Sequence, residues 1–86
     1  MPIQLTKRFV RQYGQLPEAK QRKVDKALRL LDADFRYPGL RSHSVESAPG
    51  VFEAYFDIKY RMTFERPSDI FIMCNIDNHD QCLRNP

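Results

Sequence analysis

The chain has 86 residues, 42% of them hydrophobic, and carries 14 Lys and Arg against 11 Asp and Glu, a formal net charge of +3. That length supports one small domain over residues 1–86 and leaves no room for a second core. No apolar run approaches the roughly 18 residues that a spanning helix requires, and the first residues lack a basic stretch followed by a long apolar one, so no membrane association is expected and the expected compartment is the cytoplasm. The positive balance favours RNA, DNA or an acidic protein segment without choosing between them.

In chain order, Ile3-Gln4-Leu5 reads as a short edge strand. Thr6 is placed to cap a first helix over Lys7 to Tyr13, with Gly14 where a left-handed terminating residue is wanted. Leu16-Pro17 opens a second helix, with proline in its first turn, that runs to about Asp32. Within it Val24, Ala27, Leu28 and Leu31 form an apolar stripe, and Arg22, Lys26 and Arg29 form a basic outer face. Such a face is most often simply solvated; its sharper reading is a stripe that contacts phosphates. Asp34 to Pro49, with its prolines, Gly39, Arg41 and His43, reads as a basic loop with a short strand about Val45.

From Phe52 the period becomes two. Phe52, Ala54, Phe56 and Ile58 alternate with Glu53, Tyr55 and Asp57, and a second strand sets Tyr60, Met62 and Phe64 against Arg61, Thr63 and Glu65. Ile70 to Ile76 is apolar on both faces, as a central strand is. Helices followed by a meander define an α+β domain, two N-terminal helices packed on one face of an antiparallel sheet. The opposite face, with Glu53, Tyr55, Asp57, Arg61 and Thr63, is expected to be exposed. A loop of Asp57, Ile58 and Lys59 sets Phe56 opposite Tyr60 and Asp57 beside Arg61. The simplest role for Arg61 is then an ion pair with Asp57; its functional alternative is to hold a phosphate in its planar fork.

Cys74 reads as a small buried hydrophobe, and Cys82, His79 and one acid supply too few ligands for zinc. His79 follows the last strand; a lone loop histidine, like His43, is most often an ordinary surface residue. Acid–base cleavage of RNA needs a group to take the 2′ proton, one to protonate the leaving oxygen, and a cation for the phosphorane charge. His79, Glu53 or Tyr55, and Arg61 can fill those roles.

The segments Leu5 to Phe9, Leu16-Pro17, Lys26 to Leu31, Pro38 to His43, Gly50 to Ala54, Tyr60 to Phe64 and His79-Asp80, in that order, resemble the RelE/ParE toxin superfamily. The resemblance implies a microbial RNase-like fold and the toxin half of a type II toxin–antitoxin pair, held inactive by a cognate antitoxin. In many relatives the toxin is an endoribonuclease, an mRNA interferase that cuts mRNA in the ribosome and blocks translation with no metal or cofactor. By that resemblance Arg61 binds phosphate, His79 acts as acid or base, and Tyr55 or Glu53 assists. Lys59, Arg41, His43, Arg22, Lys26 and Arg29 then contact RNA. His43 resembles a loop histidine that contributes in one branch of these nucleases. The sequence also departs from the pattern: the strand cation found near Tyr55 in relatives is missing, Asp77 replaces a common glycine, and no terminal tyrosine follows Asp80. A ParE-like gyrase inhibitor, and a catalytically silent homologue acting only through its antitoxin, are the alternative activities.

Overall fold

Strand β1 (Ile3–Leu5) leads into helix α1 (Lys7–Gly14), and a short turn joins it to helix α2 (Glu18–Ala33). A 3-10 turn at Pro38–Leu40 precedes β2 (His43–Ser44), β3 (Val51–Tyr55), β4 (Tyr60–Glu65) and β5 (Phe71–Asn78). The computed structural model describes residues 2–68 and 70–78, with the backbone alone for Asp77 and Asn78. His79, Asp80 and Cys82, named above, lie outside the described residues.

The strands form one sheet in the order β1-β5-β4-β3-β2. The pairs from β2 to β5 are antiparallel, but β1 runs parallel to β5, so the sheet is mixed rather than antiparallel. A tight hairpin forces antiparallel pairing; β1 and β5 are joined through nearly the whole chain, which leaves their direction to the helices between them.

Thr6 caps α1 as its position suggests, its Oγ1 accepting from Phe9 N–H at 3.2 Å. Gly14 does not supply a left-handed stop: it is the last helical residue, and Gln15 closes the helix in right-handed geometry with φ −88°. Pro17 sits at the N-cap of α2, one place earlier than a first-turn proline. The expected stripe packs inward, with Val24, Ala27 and Leu31 buried and Leu28 against them. These residues, with Phe9 and Leu40, cover Ala54, Met62, Phe64, Phe71, Met73 and Ile76 of the sheet. Arg22, Lys26 and Arg29 are exposed, and Arg22 donates to Glu18 one turn away at 2.7 Å.

A bulge between Thr63 and Phe64 explains how β5 buries residues of both parities. Phe64 pairs with Met73 while Thr63 pairs with Asn75, so Cys74 is the extra residue and the inward set passes from Phe71 and Met73 to Ile76. Cys74 is only partly buried; desolvation, and then Glu65, raise its pKa. The outer edge of β5 is covered first by β1 and then by side chains. Thr6 donates twice to Met73 C=O, and Gln12 accepts from Ile76 N–H at 2.7 Å while donating to Asn75 Oδ1. Helix α1 thereby takes over ladder hydrogen bonds where β1 ends.

Candidate functional site

The second sheet face is polar but not open. His43, Glu53, Thr63 and Asn75 stand opposite one another in a row across β2, β3, β4 and β5. Glu53, Thr63 and Asn75 are each 0% exposed, which corrects the expectation of an exposed polar face. Beside this row runs a second, Tyr55, Arg61 and Asp77, also in register. Asp77 is an ordinary strand residue there, with no need of the conformational freedom that glycine brings.

Arg61 does not pair with Asp57. Its Nε lies 3.1 Å from Glu53 Oε1, and its guanidinium lies over the Tyr55 ring at 3.9 Å. The expected register is present, with Phe56 and Tyr60 stacked at 5.9 Å, yet β3 ends at Tyr55 and the chain then bends. Asp57 turns towards α2, where Lys20 and Lys23 donate to it at 2.6 and 2.8 Å. Lys20 chiefly, then Lys23 and the Lys59 N–H, hold the Asp57 carboxyl well below the usual carboxylate range. Two lysines across a gap outcompete one arginine already laid along the sheet.

A cation also reaches Tyr55 from the preceding loop. Leu40 anchors the 3-10 turn in the core, and Arg41 follows in left-handed conformation, φ 52° and ψ 40°. Its guanidinium lies 4.7 Å from the Tyr55 ring centroid. A positive charge thus reaches the Tyr55 ring from a loop as well as from Arg61 on the neighbouring strand. Strand propensity carries no signal of this, because it depends on how the turn after Leu40 aims the chain.

His43 completes the cluster. Its ring meets Tyr55 edge-on at 6.1 Å, and its Nδ1 lies 2.8 Å from the Arg41 carbonyl. A carbonyl only accepts, so the hydrogen sits on Nδ1 and Nε2 is left for other work. Nε2 lies 3.6 Å from Glu53 Oε1, and the side chain is 50% exposed. A single buried carboxylate thus underlies both an imidazole and a guanidinium. Arg61 is 13% exposed.

Of the sequence candidates, Arg41, His43, Glu53, Tyr55 and Arg61 come together. Lys59 is exposed on the β3–β4 turn, and Lys26 lies on α2 beside an adjoining groove. Among the described residues no three His, Cys, Asp or Glu side chains form a metal-ligating group. No helix among them is long and apolar enough to cross a membrane.

The architecture is the α+β RelE-like fold, two helices against a five-stranded mixed sheet whose opposite face holds the cluster. YafQ from E. coli strain BL21(DE3) has this fold, with a TM-score of 0.74, 12% identity, and 92% of this chain and 93% of that chain covered. The E. coli DinJ-YafQ complex also contains it, at a TM-score of 0.63 and 15% identity over the same shares. No family model matches the sequence, and no curated protein matches it significantly.

Proposed function

We propose that this chain is the toxin of a type II toxin–antitoxin pair and acts as a ribosome-dependent mRNA endonuclease. The observation that carries the reading is the convergence of Arg41, His43, Tyr55 and Arg61 above the buried carboxylate of Glu53. The shared fold with YafQ, a RelE-family toxin, supports the toxin assignment, and the solved DinJ-YafQ complex supports a cognate antitoxin as partner.

In the proposed reaction the 2′ oxygen attacks the adjacent phosphorus, a base takes its proton, the P–O5′ bond breaks, and an acid protonates the departing 5′ oxygen. No metal enters this scheme. Arg61, joined by Arg41, neutralises the phosphorane, where charge develops. His43 through Nε2 and His79 by its resemblance share the base and acid roles, and Tyr55 holds the two guanidiniums in place. Glu53 is assigned as a positioning residue, since a fully buried carboxylate orients Arg61 without touching substrate.

Brief induction in cells tests the proposal. The expected result is growth arrest with shortened reporter mRNA, relieved by co-expression of the adjacent reading frame. Arrest with intact mRNA and DNA-damage signalling would point to gyrase instead, and normal growth would point to a silent homologue.

A further inference from the structure

On the far side of Tyr55 and Arg41 a groove of about 530 Å3 opens between α2, the 3-10 turn and the β3–β4 turn. Its cations are Lys23, Lys26 and Arg41, and its aromatic walls are Tyr37, Tyr55 and Phe56. Asp57 is the acidic lining residue, and Lys20 and Lys23 already neutralise it. Tyr37 is 45% exposed, and Ile58 at the turn is 92% exposed. A Cβ at Gly39 would stand 2.9 Å from the Tyr37 ring, so a larger residue there would push this exposed ring aside.

We infer that this groove is a subsite for single-stranded RNA, receiving a nucleotide next to the scissile one. Its base stacks on Tyr37 and its phosphate meets Lys26. The inference rests on the ribonuclease reading above and deepens it. Three observations favour RNA as the occupant. The volume is that of a small-ligand site. Cations interleave with aromatic faces, the combination that binds single strands irrespective of sequence. The groove also shares Tyr55 and Arg41 with the cluster, so a strand whose phosphate lies on Arg61 continues into it without leaving the protein. Lys26 has a role here that Arg22 and Arg29 on the same helix do not share, because those two do not line the groove.

Fluorescence anisotropy with a labelled, fully 2′-O-methylated hexanucleotide tests this, since such an RNA binds without being cut. Tyr37→Ala is expected to weaken binding roughly five-fold or more, the loss of one stacked base. Lys26→Glu is expected to weaken it and lower the slope of log affinity against log salt by about one. Lys7→Glu, a charge reversal on α1 away from the groove, should change affinity less than about twofold at 150 mM salt, where the screening length is roughly 8 Å. All three residues' side chains are exposed or half-exposed, and unchanged melting temperatures would confirm intact folding. Equal affinity in wild type, Tyr37→Ala and Lys26→Glu would overturn the subsite, as would no binding by wild type at 50 mM salt. If the same variants instead lost their hold on the product of the adjacent reading frame, the groove would belong to a protein partner. Reporter-mRNA cleavage by wild type, scored separately, keeps failure of the subsite distinct from failure of the ribonuclease reading.

Discussion

Arg41 meets two demands that usually fall on different residues: it takes the left-handed conformation and it carries the guanidinium against Tyr55. A left-handed L-residue costs about 1 kcal/mol or more, a cost glycine escapes. Arg41→Gly should therefore be about 1 kcal/mol more stable than Arg41→Ala by urea unfolding, while both lose most RNA cleavage. Equal stability of the two would show that the turn adjusts without strain. Arg61 teaches a related lesson about partners. Spacing correctly brought Asp57 and Arg61 to one end of the hairpin, but Glu53 takes the arginine and two lysines take the aspartate. Those choices depend on α2 lying across the turn, which no count along one hairpin contains.

At the scale of elements, the Asp57 clamp joins the β3–β4 turn to α2, and its energetics depend on pH. The folded pKa lies below the unfolded value of about 3.9, so the contribution is complete above that value and is lost as pH falls through the folded one. The lysines are 30% and 53% exposed, which limits the contribution to about 1 kcal/mol. The stability gap between wild type and Asp57→Asn should hold steady from pH 7 to about pH 5 and narrow below about pH 4; a gap unchanged at pH 2.5 would mean that Asp57 acts by packing alone. Gln12 performs a comparable join on the other side, tying α1 to the edge of β5. Gln12→Leu leaves Ile76 N–H without that acceptor and should cost about 1–3 kcal/mol in chemical denaturation. Amide exchange at Ile76 should accelerate in the same variant.

For the molecule as a whole, the sequence carried the elements better than their assembly. The Thr6 cap, the Val24-Ala27-Leu31 stripe and the Phe56–Tyr60 register follow from local stereochemistry and periodicity, and all three are present. The parallel β1–β5 pair, the bulge at Cys74 and the burial of Glu53 depend on contacts between distant segments, and alternation alone sends Glu53 to solvent. Within the site, Arg61 and Tyr55 were legible as residues of one sheet face. The approach of Arg41 and His43 was not, because a loop's aim is set by its anchor, Leu40, in the core. What the assembled molecule presents is a sheet face whose buried acid pairs with one guanidinium and lies beside an imidazole, with a second guanidinium over Tyr55, and that arrangement underlies the proposal of RNA cleavage.

The most direct measurement is primer extension on a reporter mRNA after brief induction, comparing wild type with Arg61→Ala and His79→Ala at equal protein levels. Cuts phased with codons inside translated sequence are expected in wild type, reduced at least 100-fold in Arg61→Ala through loss of a transition-state charge donor. Intact mRNA in wild type, or undiminished cutting by Arg61→Ala, would contradict the ribonuclease reading.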